Sequence, residues 1–208
     1  MVIYLQKRFI YMVTNNLKLV LLIPSIFTFM TVFSQTVEIK NDVFEVSYSE
    51  KLEQPLKVNY LVKCTNGKFS RSGLDFVKDK NVHTSDNNDY RNNVWDKGHM
   101  APAAAFSCDE QTLKQTFSYL NCSLQHESLN RGPWKSLEGL ERDLAFLYGE
   151  VKVTIEVIFS EKSERLDSGA TVPDAFRKTI TVNKDSFSFY FENKNVKGID
   201  WTEFFVNN

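Results

Sequence analysis

Hydrophobic and polar residues alternate in the part of the chain that follows the first 35 residues. The alternation covers residues 37–40, 43–48 and 56–62, and polar turn residues separate the three runs. Successive side chains of a β-strand point to opposite faces of a sheet, so a period of two predicts strands with one buried face. The short breaks between the runs predict that consecutive strands pair antiparallel.

A different period marks the helices in the middle of the chain. Residues 109–117 can form a short helix that Asp109 caps, because its side-chain oxygen can accept a free N–H of the first turn. The longest helix is predicted to begin at Gly132-Pro133 and to end at Gly149. Its apolar residues recur every three or four positions, which predicts one buried face. That face consists of Trp134, Leu137, Leu140, Leu144 and Leu147.

Strand patterns return in the last third of the chain, over residues 151–159, 172–182 and 187–191. Residues 119–122 are predicted as a short strand. The polar run 84–89 has no apolar period and is predicted as a surface loop. No internal repeat or second domain is evident. We therefore predict an α+β fold with a mixed, mainly antiparallel β-sheet core.

The first 34 residues have the features of a secretory signal peptide. A basic start leads into an apolar run, and Val32 and Ser34 are small enough for the subsites of a signal peptidase. The run of about 15 residues is short for a membrane-spanning helix, although an uncleaved anchor is the alternative. We predict a signal peptide over residues 1–34, a folded domain over 35–208, and a secreted or periplasmic protein without stable membrane association. Either Met1 or Met12 could be the start.

Composition and charge narrow the classes of protein. A hydrophobic content of 42% and an aromatic content of 13% permit a packed core and argue against disorder. The net charge is −1, and without the first 35 residues it is −4, from 22 basic and 26 acidic residues. This balance argues against a high-affinity nucleic-acid-binding protein, but an enzyme needs only a local positive field. Residues 57–97 hold eight basic and five acidic residues, which alone indicates a solvated face.

The three cysteines, Cys64, Cys108 and Cys122, are too far apart for a CxxC metal site. In an exported protein, two of them could form a disulfide and leave one free. Cys108 and Cys122 would close the shortest loop, but the sequence leaves the pairing open.

Candidate chemistry is concentrated between residues 96 and 138. Hydrolysis of a phosphodiester needs a base for water, cations for the developing charge, and stabilisation of the leaving oxygen. A neutral histidine such as His99 is a suitable base near pH 7. Mg²⁺ suits the leaving oxygen and needs only one or two protein oxygen ligands. Asn130 could supply a neutral ligand, and Glu138 could hold the water shell of the ion.

Each of these residues has a simpler interpretation when it is taken alone. A single histidine is more often structural than catalytic, and Asn130 could cap the following helix. Glu138 could form a surface ion pair with Arg142, four residues further along the helix. Only the combination favours a metal-dependent hydrolytic site.

Three motifs in this region resemble the DNA/RNA non-specific endonuclease family, which has the ββα-metal or His-Me finger fold. Residues 96–102, Asp-Lys-Gly-His-Met-Ala-Pro, resemble its Asp-Arg-Gly-His-x-Ala-Pro pattern. Residues 121–125 match its Asn-x-x-x-Gln pattern, and residues 129–138 match Leu-Asn-x-Gly-x-Trp-x-x-Leu-Glu. Weaker similarity around residues 70–73 and 172–178 extends the resemblance over roughly residues 56–192.

The resemblance implies roles for the residues of these motifs. His99 would be the general base, and Asn130 would bind Mg²⁺ directly, with Mn²⁺ as the alternative ion. Glu138 would bind the metal through water, and Asn121 would orient the site. The fold would then combine the mainly antiparallel sheet core with a ββα-metal active-site motif.

The resemblance also implies a set of cations for the phosphate. Arg71 would neutralise the scissile phosphate, and Arg142 would assist. Lys97 replaces an arginine of the family pattern, so it keeps the positive charge but lacks the two-pronged guanidinium geometry. His83 and His126 have no counterpart and are predicted to be structural or surface residues. The positive region 57–97 would face the phosphates.

The resemblance implies a Mg²⁺-dependent hydrolase that cleaves DNA and RNA without strong sequence specificity and leaves 5′-phosphates, and the predicted signal peptide implies that it is exported. Two alternatives remain at this point. One is a catalytically silent nucleic-acid-binding protein on the same fold, and the other is a secreted effector nuclease with a cognate inhibitor. The sequence leaves open whether the protein forms a homodimer.

Overall fold

The computed structural model describes residues 36–206, so the predicted signal peptide lies outside the described residues. A seven-stranded, fully antiparallel sheet has the strand order β1-β2-β3-β6-β7-β8-β9. Its strands are β1 (Thr36–Lys40), β2 (Phe44–Ser49), β3 (Gln54–Val62), β6 (Val151–Ile158), β7 (Ala175–Val182), β8 (Asp185–Glu192) and β9 (Phe205–Val206). This arrangement confirms the predicted mixed fold with a mainly antiparallel sheet.

The alternating pattern of the strands produces the core. In β6, buried Val151, Val153, Ile155 and Val157 alternate with more exposed residues. The buried side chains join those of β2, β3 and β7 in one hydrophobic cluster. Burial of one face of each strand explains why the period of two located these strands correctly.

A second, two-stranded sheet carries the first motif. It pairs β4 (Trp95–His99) with β5 (Cys122–His126) antiparallel, and His99 lies opposite Cys122. The connection contains a 3₁₀ turn (Ala103–Phe106) and helix α1 (Glu110–Thr116). Asp109 caps α1 as predicted, because its Oδ1 accepts the backbone N–H of Thr112 at 2.8 Å. Residues Tyr119–Asn121 form a 3₁₀ turn rather than the predicted strand, which begins only at Cys122.

The long helix begins later than predicted. A short helix α2 (Glu127–Leu129) leads into an irregular π-type turn (Asn130–Trp134), and the regular helix α3 spans Lys135–Tyr148. Gly132 has non-helical dihedral angles, φ −105° and ψ −114°, which separate the turn from α3. Gly149 ends α3 as predicted, with φ +91°, a left-handed conformation that glycine adopts without a side-chain clash.

The predicted buried face of α3 is only partly buried. Trp134 and Leu137 are fully buried, whereas Leu147 is 68% exposed. Leu140 and Leu144 are half-buried and line an apolar groove with Phe187 of β8. The helix packs on β3, β6 and β7, while the last strand, β9, contains only two residues. The helical period was correct, but the covering surface does not extend along the whole helix.

The run 84–89 is not the surface loop that the sequence predicts. Ser85 and Asp89 are buried, and Asp86 caps a 3₁₀ turn (Asn87–Tyr90). Asp89 accepts the backbone N–H groups of Asp86 at 2.8 Å and of Ala170 at 3.2 Å. Polar residues are therefore buried here because their hydrogen bonds are satisfied within the fold.

The structure also decides the pairing of the cysteines. Cys64 forms a disulfide with Cys108, and Cys122 is buried and free. The pair that would close the shortest loop therefore does not form. Within residues 36–206, no helix is both long and apolar enough to cross a membrane.

Candidate active site

An open cleft of ≈ 750 Å³ lies between β4, the segment around residues 71–76, and the beginning of α3. It brings together six of the seven predicted site residues, which come from three separate parts of the sequence. These six are Arg71, Lys97, His99, Asn130, Glu138 and Arg142. Asn121 does not line the cleft.

His99 stands at the end of β4 with its ring between two phenylalanines. The ring centroid lies 4.6 Å from that of Phe76 and 4.9 Å from that of Phe117. Its Nε2 has no hydrogen-bond partner among the described residues. Burial of the ring, together with the positive charge of Arg71, lowers the pKa of His99 from 6.5 to about 3. The imidazole is therefore neutral at pH 7, and a neutral ring can accept a proton.

Gly98 allows the strand pairing that places His99. A Cβ at this position would lie 2.7 Å from Cβ of Gln125 on β5, a separation that real Cβ atoms do not show. Gln125 is fully buried, so it cannot move aside into solvent. The glycine of the motif therefore serves close packing between β4 and β5.

Asn121 acts behind the cleft rather than in it. Its side chain is fully buried, and its Oδ1 accepts the backbone N–H of Ala101 at 2.7 Å. Its Nδ2 donates to the carbonyls of Ala101 at 2.9 Å and of Thr116 at 3.0 Å. These bonds fix the turn that follows His99, which makes Asn121 a positioning residue.

Asn130 lies in the irregular turn before α3 and is oriented by Asp96. Its Nδ2 donates to Oδ2 of Asp96 at 2.8 Å, and no residue in the described chain donates to its Oδ1. Asp96 is held in turn by Arg131, through Nε at 2.8 Å and a terminal guanidinium nitrogen at 2.6 Å. The amide oxygen of Asn130 is therefore left as a free ligand atom. Neither Asp96 nor Arg131 was predicted to have a role, although both lie within the motifs that resemble the family.

Glu138 lies in the first turn of α3 and is half-buried. Burial raises the pKa of its carboxyl to about 7, and Glu141 adds to the increase while Lys178 opposes it. The predicted alternative, an ion pair with Arg142, does not form. Arg142 instead donates to the backbone carbonyl of Glu138 at 2.9 Å. Within the described residues, the Glu138 carboxyl has no ion-pair partner, so its oxygens are available in the cleft.

A buried ion pair lies beneath Glu138. Lys178 of β7 donates to Oε1 of Glu141 at 2.7 Å, and neither side chain is exposed to solvent. The Tyr60 hydroxyl donates to the other oxygen of Glu141 at 2.8 Å. Lys178 also lies 3.9 Å from the centre of the Trp134 ring. These contacts join α3 to the main sheet below the cleft.

Five cations line the cleft, and two of them were not predicted. The predicted cations are Arg71, Lys97 and Arg142, and the structure adds Arg131 and Lys135. Lys135 lies one turn before Glu138 on α3, and this helical spacing is the signal that could have identified it. From the positive region 57–97, only Arg71 and Lys97 reach the cleft. The interpretation of that whole region as the phosphate-facing side was therefore too broad.

The other two histidines lie outside the cleft, as predicted. Nδ1 of His126 accepts the backbone N–H of Ser128 at 3.1 Å and so caps α2. His83 is exposed, and its Nε2 lies 3.2 Å from Oε1 of Glu53.

The donor set of the cleft fits a hydrated hard cation. Within residues 36–206, no group of three or more His, Cys, Asp or Glu side chains is suited to hold a metal. The cleft offers instead one free amide oxygen, from Asn130, and the unpaired carboxylate of Glu138. Mg²⁺ prefers oxygen ligands and keeps most of its water, so this small set suits it better than a metal that needs four protein ligands.

Comparisons with known proteins identify the family of the chain. Residues 26–208 match the family described as DNA/RNA non-specific endonuclease. Mitochondrial endonuclease G of Bos taurus is 34% identical over 101 residues, which cover 47% of this chain and 34% of the relative. Mitochondrial nuclease EXOG of Danio rerio is 34% identical over 113 residues, covering 52% of this chain and 33% of the relative. The matched segment thus spans about a third of the length of these relatives.

A solved structure supports the fold. A chain in the crystal structure of an EndoG/EndoGI complex superimposes with a TM-score of 0.71 and 23% sequence identity. The similarity covers 82% of this chain and 80% of that one.

The prediction of a secreted or periplasmic protein is wrong. Relatives from Bos taurus, Homo sapiens, Danio rerio and two yeasts are named mitochondrial nucleases, which points to mitochondria instead. The prediction rested on the composition of the N-terminus, and a basic, acid-poor segment does not by itself distinguish a secretory signal from a mitochondrial transit peptide. The first 35 residues contain three basic residues and no acid.

The elements around the cleft have the order of a ββα motif. β4 ends at His99, β5 pairs with it, and α3 carries Glu138. With the family match over residues 26–208, this arrangement shows that the chain belongs to the DNA/RNA non-specific endonuclease family.

Proposed function

We propose that this chain hydrolyses phosphodiester bonds of DNA and RNA with the help of bound Mg²⁺ and without strong sequence preference. One observation carries the proposal. The neutral imidazole of His99 lines the same cleft as a free amide oxygen, an unpaired carboxylate and five cations. Mn²⁺ is the alternative ion, since it also prefers oxygen ligands.

His99 would take a proton from the attacking water. Its position between Phe76 and Phe117 keeps the ring dry and neutral in the free protein. The negative charge of a bound phosphodiester opposes the effect of Arg71 and raises the basicity of the imidazole. His99 is therefore a stronger base in the substrate complex than in the free protein, which is when the proton has to be removed.

Asn130 would bind the metal through Oδ1, and Glu138 would hold metal-coordinated water. Asp96 orients the Asn130 amide, because its carboxylate accepts a hydrogen bond from Nδ2. A flipped amide would lose this bond, so Oδ1 stays on the other side. When bound, Mg²⁺ supplies positive charge for the leaving oxygen. Arg71 and Arg142, which line the same cleft, would neutralise the phosphate.

Recognition would depend on phosphates more than on bases. The cations of the cleft are Arg and Lys side chains, which contact phosphate oxygens without regard to sequence. Cleavage with little sequence preference follows from this arrangement. The release of 5′-phosphate ends follows if the leaving oxygen is the sugar 3′ oxygen.

Cleavage of plasmid DNA and of RNA, in Mg²⁺ and in EDTA, tests the proposal. We expect His99→Ala to lower the rate about 10²- to 10⁴-fold, the usual contribution of a general base. His83→Ala is the matched control, because His83 is exposed and outside the cleft, and its rate should equal that of the wild type. Equal rates for wild type and His99→Ala would refute the hydrolase. Binding of DNA by the wild type without any cleavage would instead support a silent binding protein.

A homodimer and a complex with a cognate inhibitor stay predictions. Light scattering of the purified protein distinguishes a monomer from a homodimer. A cognate inhibitor, the partner of the alternative effector hypothesis, would be recognised by loss of cleavage at equimolar concentration.

A further inference from the structure

One cation of the cleft, Lys97, forms an ion pair with an acidic residue of the protein, Asp75. Nζ of Lys97 donates to Oδ1 of Asp75 at 2.7 Å. Lys97 is 23% exposed and lies between two aromatic rings, 5.7 Å from the centre of Phe76 and 5.6 Å from that of Tyr119. Its ammonium group therefore has little freedom, and Asp75 neutralises it in the substrate-free protein.

Asp75 is held at the edge of the cleft. Its Oδ1 also accepts the backbone N–H of Phe76 at 2.8 Å, and the ring of Phe76 packs on His99. Asp75 itself is 68% exposed. The hydrogen bond from Lys97 holds the pKa of the Asp75 carboxyl below its usual range, so the group is charged at neutral pH. A negative charge thus stands beside Lys97, at the edge of the cleft where an anionic substrate would enter.

The other cations of the cleft are arranged differently. Within residues 36–206, Arg71 and Lys135 form no ion pair. Arg131 pairs with Asp96, but that carboxylate also orients Asn130. The second hydrogen bond of Asp75 is to the backbone N–H of Phe76, so Asp75 orients no proposed metal ligand. The effect of Asp75 on the cleft is to neutralise the charge of Lys97.

We propose that Asp75 occupies the position at Lys97 that a backbone phosphate of the nucleic acid takes on binding, and so restrains the affinity of the cleft. This inference rests on the proposed function. Carboxylate and phosphate oxygens are equivalent acceptors for an ammonium group. Because Asp75 is largely exposed, it can exchange the ammonium for water at little cost.

Anisotropy of a fluorescent DNA oligonucleotide in EDTA measures binding without cleavage. Asp75→Asn keeps an oxygen for the N–H of Phe76 and removes only the charge. We expect a Kd about three- to fivefold lower than that of the wild type, the range for an exposed ion pair. The slope of log Kd against log salt should steepen by up to about 1, as for one additional phosphate contact. Thermal unfolding of each variant checks that it is folded.

Two further variants make the result specific to Lys97. Glu150→Gln is the matched control, since it removes the acid of an exposed pair with Lys63 outside the cleft. Its Kd should stay within about twofold of that of the wild type, because exposed charges outside the cleft are screened by salt. In Asp75→Asn/Lys97→Met, the gain in affinity should disappear.

An Asp75→Asn variant that binds no more tightly than the wild type would overturn the inference. So would a gain that persists without Lys97, because the effect would then be one of overall charge. Cleavage by the wild type in Mg²⁺ distinguishes failure of the Asp75 proposal from failure of the proposed function. If the wild type cleaves, such results refute only the role of Asp75. If the wild type neither binds nor cleaves nucleic acid, the proposed function fails and the inference fails with it.

Discussion

At the scale of single residues, the cleft depends on carboxylates in different environments. Asp96 has a 19% exposed side chain and is fully used by Asn130 and Arg131. Glu138 has no ion-pair partner among residues 36–206, and burial opposes its charge. A cation that binds near Glu138 would therefore relieve an unfavourable state of the protein, whereas Asp96 is already satisfied and serves to orient its neighbour.

Asp96→Asn is expected to weaken Mg²⁺ binding about 10- to 100-fold, the usual cost of losing a group that orients a ligand. The variant removes the charged acceptor that holds both the Asn130 amide and Arg131. The measurements are the Mg²⁺ concentration for half-maximal cleavage and the Mg²⁺-induced rise in Tm. Asp185→Asn, at the exposed start of β8, should leave both unchanged. An Asp96→Asn variant with wild-type values for both would contradict this role.

Glu138→Gln is expected to stabilise the metal-free protein at high pH. The pKa of Glu138 in the folded protein, about 7, lies above its usual value of 4.5. Between these two pH values, the carboxyl is protonated in the folded state and already ionised in the unfolded state. Stability therefore falls as pH rises through this window, and the loss is complete above pH 7. Glutamine lacks this penalty.

Urea unfolding in EDTA measures the effect. At pH 8 the variant should be more stable by roughly 1–3 kcal/mol, and at pH 4 the two proteins should be nearly equal. A difference that does not change with pH would show that the Glu138 carboxyl is not perturbed in the folded protein.

At the scale of elements, α3 supports the cleft through its contact with β7. The contact consists of the Glu141–Lys178 pair, which has no exposure to solvent, and it lies one turn beyond Glu138. Glu141 lies on the buried stripe of the helix, four residues after Leu137 and three before Leu144, but its charge predicts exposure, so the pair was not predictable from the helix alone. Leu147 is the opposite case, because it is apolar and was predicted to be buried but is exposed. Both outcomes depend on what lies opposite each residue of the helix.

Lys178→Met should destabilise the protein by about 3–5 kcal/mol, because it leaves the buried Glu141 charge without a partner. The double variant Lys178→Met/Glu141→Gln should recover most of this loss, since glutamine is neutral and can still accept the Tyr60 hydroxyl. Urea unfolding of the two single variants and the double variant completes the cycle. Equal stability of the single variant Lys178→Met and the double variant would exclude an uncompensated charge as the cause.

At the scale of the whole molecule, a disulfide ties one wall of the cleft to another. Cys64 and Cys108 are 44 positions apart. Close to this link, the backbone N–H groups of Lys68 and Phe69 donate to the carbonyl of Ser107, at 2.8 and 2.9 Å. The link therefore stabilises the segment that leads to Arg71.

Replacing both cysteines, Cys64→Ser/Cys108→Ser, should cost about 3–4 kcal/mol of stability, as expected for release of a loop of this length. The cleavage rate of the folded fraction should also fall, because Arg71 loses its support. Cys122→Ser has no disulfide to lose and serves as the comparison. If dithiothreitol lowers the stability of the wild type and of the double variant equally, the disulfide is not the source of the effect.

The sequence by itself determined the features that depend on neighbouring residues. These are the strands with a period of two, the Asp109 cap, the end of α3 at Gly149, and the motif order that assigned the family. Each arises from backbone geometry or from a spacing within a few residues. Six of the seven predicted site residues meet in one cleft although they come from three parts of the sequence, and it was the family resemblance of the motifs that grouped them.

Only the tertiary structure decided which distant side chains meet. Asp75 and Lys97 are 22 positions apart, and Asp96 and Arg131 are 35 apart. The partner of Cys64, the exposure of Leu147 and the position of Asn121 behind the cleft likewise depend on packing between elements. The physical reason is that charge pairing, desolvation and burial are properties of neighbours in space, and the local pattern of a chain does not specify those neighbours.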